Sequence, residues 1–387
     1  MLIGNKITFT NGTIFLGGYD DGASSATVSE ILSQKSETAF TDGEHVGIDT
    51  DIEFKCVITS GKLKGETVVA KESISAYDAV PLKPIQVGDK IFIINGIDDL
   101  GEANGWYMYD YDRTLPLWAL GIIFIALVLF LGRFKGINTL ISLSFTFAAV
   151  FLVFLPSVLS GYNIYFWSIL TCIYIIVMTL IITEGYNKKT LSAIIGCSSG
   201  VIVAGGLNFI ATKFLHLSGV TGDETIYIMQ DFKIDLNALI FAGVILGSVG
   251  AVMDVAVSIS SSLKELHEQV ENPTFYSLVK SGMTIGRDIM GTMANTLVLA
   301  YIGSELSATI LQVAYSSSLT TLLSREKIVV EILQALVGSI GILLTIPLTA
   351  VISSALYTGR FKSERKDRYY VEEKKEPSLF ERMNDEE

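Results

Sequence analysis

The pattern of hydrophobic and polar positions divides the chain into two parts. In residues 1–114, short apolar stretches alternate with polar positions and Gly-containing turns, whereas residues 115–358 hold nearly all of the long apolar runs. A membrane-spanning helix needs about 20 predominantly apolar residues, and several runs in the second part reach that length. The pattern therefore predicts an N-terminal soluble domain followed by a membrane all-α bundle.

Seven apolar segments of the second part are predicted to be membrane spans. The sixth is too long for one simple span and contains Glu305, so it is either a kinked helix or a helix followed by a re-entrant piece. Pro347 predicts a kink in the seventh, which packed neighbours can accommodate. The predicted spans lie near residues 116–132, 137–159, 163–183, 190–211, 236–258, 288–320 and 328–357.

Residues 1–114 are predicted to form an all-β domain. Asn11-Gly12 lies between two short apolar stretches, a pattern typical of a hairpin with a type I′ turn. Five or six short strands favour a small barrel or sandwich, with an OB-like barrel as one candidate. The further predicted strands are residues 51–60, 66–71, 89–95 and 105–111.

The distribution of basic residues predicts the orientation of the spans. If the β domain lies outside, the cytoplasmic loops and tail carry 15 Lys and Arg, and the loops on the other side carry four. Cytoplasmic loops are enriched in Lys and Arg, so the β domain is predicted to be extracytoplasmic and the C-terminus cytoplasmic. The charged tail, residues 359–387, alternates basic and acidic residues and is predicted to be disordered.

The start of the chain is unusual for a protein with an external N-terminal domain. Residues 1–20 lack the basic region and following apolar region of a signal peptide. Either the first span acts as a reverse anchor, or the sequence begins downstream of a missing apolar segment.

Composition excludes several classes of function. Half of the residues are hydrophobic and only 18% are charged, below the roughly 25% of soluble proteins. The net charge of −12 disfavours nucleic acid as a partner. Three Cys and three His are too scattered for a metal site, and no Ser/His/Asp order, phosphate loop, HExxH or GxSxG occurs. We therefore expect no enzyme activity, cofactor or metal.

Small residues recur at helical spacing in the fourth, fifth and sixth predicted spans. Such faces let helix backbones approach closely in lipid, so helix packing alone would explain them. We expect the face of the fourth span to point inward, toward the fifth or the sixth span. The small residues are Gly196, Gly200, Ala204, Gly243, Gly247, Gly250 and Gly291.

Polar residues set into these faces are the candidate functional residues. Asp254 follows a long apolar run, and a carboxylate at such a position usually faces the bundle interior with a partner. Arg287 is the predicted partner, either in a structural ion pair or as part of a gate or path. The candidate polar hub or transport path comprises Asp254, Arg287, Asp288, Thr292, Asn295, Asn208 and Glu305.

The sixth predicted span carries a long polar string, GRDxxGTMxNTLxLAYxG, from Gly286 to Gly303. This string, with Arg133-Phe-Lys-Gly136 after the first span and Glu184-Gly185 after the third, resembles the YibE/F-like family of bacterial multi-pass membrane proteins. The β domain also looks like that family. The resemblance implies a bacterial cytoplasmic membrane and marks the polar string as a family hallmark, but it assigns no substrate and no residue roles.

Two functional hypotheses follow for this predicted membrane protein. The first is permease-like transport of a small solute or ion along a polar path between the fourth, fifth and sixth spans. The alternative is a non-transporting scaffold or sensor whose β domain binds a membrane or envelope protein partner. A transporter must keep polar groups on a hydrated route through the bilayer, whereas a scaffold need only bury paired ones.

Overall fold

The computed structural model describes two compact units, one of residues Gly12–Leu127 and one that begins at Val128. The predicted hairpin at Asn11-Gly12 and the predicted disordered tail lie outside the described residues. The described residues are 23–41, 44–61, 63–75, 83–97, 103–232 and 234–359.

The first unit contains a closed barrel of five strands in the order β1-β2-β3-β5-β4. β3 and β5 are parallel, and the other neighbours are antiparallel, so the sheet is mixed. The predicted all-β domain is confirmed as a five-stranded barrel, and its OB-like type stays a prediction. The strands are β1 (Ser24–Thr41), β2 (Glu44–Ile58), β3 (Thr67–Ile74), β4 (Lys90–Ile97) and β5 (Ala103–Tyr111).

β1 was not predicted, although it is the longest strand. Five of its 18 residues are Ser, which favours strands less than β-branched and aromatic residues do. Among the side chains of β1 that the structure describes, residues 24–36, only Ala26 and Val28 are buried in the barrel. Their burial completes an interior formed by alternate residues of neighbouring strands, chiefly Ile52, Phe54, Cys56, Ile91 and Ile93.

The described residues from Thr114 to Gly359 are mainly helical, and side-chain caps define several helix starts. Asn187, Asp235 and Thr274 each accept a backbone N–H of the first helical turn. Val150–Phe154 forms a π-helical segment between the first two helices. The helices are α1 (Thr114–Ala149), α2 (Leu155–Leu159), α3 (Ile164–Glu184), α4 (Lys188–Phe214), α5 (Asp223–Phe232), α6 (Leu236–Gln269), α7 (Phe275–Ser304), α8 (Leu306–Ala314), α9 (Leu319–Leu323) and α10 (Glu326–Tyr357).

Within the described residues, five helical stretches are long and apolar enough to cross a membrane, and a sixth is obtained if α7 and α8 count as one broken span. The structure thus does not show seven separate spans. The first two coincide with one stretch, Thr114–Leu159, which is interrupted at Arg133 with φ 49°. The predicted break in the sixth lies at Glu305, where α7 and α8 differ in direction by 71°.

Four helices of the second unit, α4, α6, α7 and α10, pack in alternating directions. α4 and α10 are antiparallel, since Gly196 lies against Thr349 and Gly200 against Thr345. At one end of the unit, the rings of His267 and Tyr357 stack at 5.3 Å. The starts of α4 and α7 lie at that end, and the starts of α6 and α10 lie at the opposite end.

Candidate functional site

The small-residue face of α4 is buried against α10. A Cβ at Gly200 would overlap the Thr345 hydroxyl, and one at Gly196 would overlap the Thr349 hydroxyl. The next step of four pairs Ala204 with Gly341, where a Cβ on the glycine would lie 3.0 Å from the alanine Cβ. The face points inward as predicted, but the predicted neighbour is wrong, because α10 covers it rather than α6 or α7.

Buried hydroxyls continue this interface toward the end where α4 begins. Ser192 of α4 donates a hydrogen bond to Ser260 of α6 at 3.1 Å, and Ser260 lies 3.3 Å from the hydroxyl oxygen of Ser353 on α10. All three side chains are fully buried. The three serines join three helices, and sequence reasoning missed them because single serines in apolar spans carry no periodic signal.

Asn208 lies on the same face of α4 and is fully buried. Neither its Oδ1 nor its Nδ2 has a hydrogen-bond partner among the residues that the structure describes. The amide therefore belongs to the covered interior and is not joined to the other predicted hub residues.

The small-residue face of α6 is open along most of its length. A Cβ at Gly250 would meet no atom of the described residues outside its own turn within 4 Å, and one at Gly243 would reach only Gln334 Nε2, at 3.8 Å. At Gly247 the face is narrowed by a neighbour, since a Cβ there would overlap the Tyr301 hydroxyl. The residues of this face are all exposed and form an open stripe of Gly243, Gly247, Gly250, Asp254 and Ser258.

Asp254 and Arg287 do not form the predicted ion pair. Both side chains are exposed, and neither takes part in an ion pair within the described part of the chain. The antiparallel contacts of α6 and α7, Gly247 with Tyr301 and Leu263 with Gly282, put Asp254 level with residues 291–294. Along the axis of α7, Arg287 lies about one to two turns, or about 6–10 Å, from the level of Asp254.

The remaining hub residues of α7 face away from the core. Leu297 is buried in the bundle, and at about 100° per residue Asp288 and Asn295 lie on the opposite side of the helix. The Thr292 hydroxyl bonds back to the carbonyl of Ile289 at 2.9 Å. Arg287, Asp288, Gly291, Thr292 and Asn295 are exposed, so the structure does not bring the predicted hub together.

A polar cavity of about 460 Å³ lies at the end of the unit where α7 ends and α6 and α10 begin. Glu305 of the predicted hub lines it and pairs with Lys327 at 3.3 Å. Tyr301, Glu331 and Gln334 line it too. The Tyr301 hydroxyl and Glu331 Oε2 are buried and have no hydrogen-bond partner among the described residues.

One wall of the cavity is the loop before α5. Glu326, at the start of α10, accepts hydrogen bonds from the Ser218 hydroxyl, at 2.7 Å, and from the backbone N–H of Gly219. Gly219 has φ 87° and lies so close to Leu236 that a side chain there would collide with it. The loop is thereby fixed between the starts of α6 and α10.

Sequence reasoning missed Glu331, although a signal for it exists. It is a carboxylate inside a predicted span, and charged residues in membrane helices usually mark functional positions. It was overlooked because it lies close to Glu326 and Lys327 in the sequence, where charged residues are expected to flank the span. No group of three or more His, Cys, Asp or Glu that could hold a metal ion occurs in the described ranges.

The cavity and the open stripe both fall within a region that matches a known family. The profile described as YibE/F-like protein matches residues 120–359, more than half of the chain. The chain belongs to the YibE/F-like family. Asp254, Glu305 and Glu331 lie within the YibE/F-like region, whereas the β barrel precedes it. Neither the search of curated proteins nor that of solved structures found a match.

Proposed function

We propose that this YibE/F-like protein is a permease for a small solute or ion. The observation that carries the proposal is the open stripe of α6, which begins beside the polar cavity and reaches Asp254 in the middle of a membrane helix. A charged side chain at the centre of a span costs about 2.5–3.5 kcal/mol on insertion scales, more if it faces hydrocarbon. The stripe is therefore a hydrated route.

The proposed path differs from the one inferred from the sequence. It runs along α6 beside α7, and it excludes α4, whose small-residue face is covered by α10. From Gly243 to Asp254 the stripe extends about 16 Å at 1.5 Å per residue, about half of the hydrocarbon thickness. Tyr301 lies over Gly247. In this proposal its side chain forms the constriction between the cavity and the part of the stripe that leads to Asp254.

The proposal includes an orientation and seven crossings. The stretch Thr114–Leu159 has 46 residues, about 70 Å as a helix, which is more than twice the hydrocarbon thickness. A reversal at Arg133 would divide it into two crossings. The end with Lys188, Lys264 and Lys280 is then cytoplasmic by the positive-inside rule, and the cavity opens outside.

Water access along the stripe tests the path. All three native cysteines are buried, so single cysteines can be introduced at little background. We expect Gly250→Cys to react with a membrane-impermeant thiol reagent. Ile202→Cys is the matched control, since Ile202 is 51% exposed on an apolar face of α4 and would face lipid. If Gly250→Cys were as unreactive as the control, there would be no hydrated route.

Labelling in intact cells tests the orientation. Gln34→Cys, on an exposed position of β1, should react from outside, whereas Ser363→Cys in the tail should react only after permeabilisation. Reaction of Ser363→Cys in intact cells would reverse the proposed orientation.

A further inference from the structure

The lining of the polar cavity carries one more negative charge than positive. Among the described residues, its charged lining consists of Glu305, Lys327 and Glu331. Lys327 makes its ion pair with Glu305 at 3.3 Å, and Glu331 takes part in no ion pair of the described residues. A partly buried carboxylate without a counter-ion is costly, so the cavity favours a positively charged ligand.

Two oxygen atoms that line the cavity have no hydrogen-bond partner among the described residues. Glu331 Oε2 is buried and lacks a hydrogen bond within the described residues, and so does the hydroxyl of Tyr301. The absence of a side chain at Gly247 gives that hydroxyl its position. Buried polar groups in proteins are nearly always satisfied. Unlike the unpaired amide of Asn208, which is enclosed between helices, these two oxygens line a cavity with room for a ligand.

We propose that this cavity binds a small monovalent cation through Glu331, with the Tyr301 hydroxyl as a second ligand. Hard cations prefer carboxylate, hydroxyl and carbonyl oxygens, which the lining supplies. One unbalanced carboxylate matches a single positive charge, whereas divalent ions are usually held by more than one. The inference deepens the proposed function by naming the ligand class, and its role in transport rests on that function.

Cation-dependent thermal stabilisation of the purified full chain tests the site. Sodium chloride and potassium chloride are each titrated against N-methyl-D-glucamine chloride at constant ionic strength. A ligand that binds the native state alone raises the melting temperature in a saturable way. We expect such a rise for the wild type with sodium or potassium, its loss in Glu331→Gln, and a reduced apparent affinity in Tyr301→Phe.

Two further variants separate binding from general damage. Glu331→Asp keeps the charge and should keep a saturable rise at higher cation concentration. Glu265→Gln removes an exposed carboxylate near the far end of α6 and should respond as the wild type does. The proposal is overturned if the wild type shows no saturable rise, if Glu331→Gln responds equally, or if only divalent ions stabilise the protein.

The thermal test of the cation site is independent of the cysteine-labelling test of the path. A saturable, Glu331-dependent rise together with an unreactive Gly250→Cys would leave a cation site in a protein without a path. A reactive Gly250→Cys without any cation effect would leave the path and reject the cation site.

Discussion

The small-residue faces of α4 and α6 have the same spacing in the sequence and opposite environments in the structure. On α4, every step of four residues from Gly196 to Ala204 meets a residue of α10. On α6, the face that begins at Gly243 meets Tyr301 at one position and is otherwise open. The spacing of small residues thus indicates a face that permits close approach, and it does not tell whether a helix occupies that face.

The covered and the open face differ because of the partner that each one meets. α10 presents Gly341, Thr345 and Thr349 at the same interval of four, so two antiparallel helices stay in register over several turns. α7 meets α6 at Tyr301 and again at Gly282, and its polar side chains between these points turn outward. Whether a small-residue face is filled by a neighbouring helix or stays open therefore depends on the side chains of that helix.

The largest expected effect is that of Gly200→Leu on the covered face. Leucine would overlap Thr345 and force α4 from α10, and overpacking of this kind costs about 3 kcal/mol. The measurement is the free energy of unfolding in detergent, or the fraction folded after heating. Ile202→Leu, on the exposed side of the same helix, should be within about 0.5 kcal/mol of the wild type. Equal stability of the two variants would remove the distinction between the faces.

A smaller loss is expected for Ser260→Ala at the three-helix serine contact. The change removes a partner from both Ser192 and Ser353, which are buried, and should cost about 1–2 kcal/mol. Ser258→Ala, on the open stripe of the same helix, is the matched control and should leave the free energy of unfolding nearly unchanged. A greater loss at Ser258 would show that the open stripe is itself a packing surface.

Gly250→Leu should change function without changing stability. No neighbouring atom of the described residues opposes a side chain there, and leucine favours helix over glycine by about 1 kcal/mol, so stability should be kept or slightly raised. The side chain would occupy the stripe and reduce the labelling of a cysteine placed at Asp254. Unfolding of Gly250→Leu, with Ile202→Leu unaffected, would mean that another surface covers the stripe.

The smallest expected effect is the coupling between Asp254 and Arg287. Since the structure separates them by one to two turns, Asp254→Asn and Arg287→Gln should be additive within about 0.5 kcal/mol in a double-mutant cycle. The pair inferred from the sequence would instead give a coupling of about 3 kcal/mol, the cost of leaving one buried charge alone. A coupling energy above 1 kcal/mol would show that Asp254 and Arg287 interact, contrary to the structure.

Part of the candidate site could be predicted, and the residues show why the rest could not. Glu305 was identified because an acid within a long apolar segment is conspicuous. Asn208 was correctly placed on the inward face of α4, since its spacing from Gly196, Gly200 and Ala204 is local. The helix predicted to cover this face was wrong, because Thr345 and Thr349, which lie against Gly200 and Gly196, are about 150 residues away in the sequence. Their hydroxyls bond within α10 or to nothing among the described residues.

The sequence by itself determined the two-part organisation, the apolar helices, most of the strands and the family. These depend on local properties: run length, alternation, turn residues and a contiguous polar string. The tertiary structure decided which small-residue face is filled, that Asp254 and Arg287 are out of register, and that Tyr301 and Glu331 meet in one cavity. Helical spacing fixes where a side chain lies around its own axis, whereas its partner depends on the level at which another helix crosses.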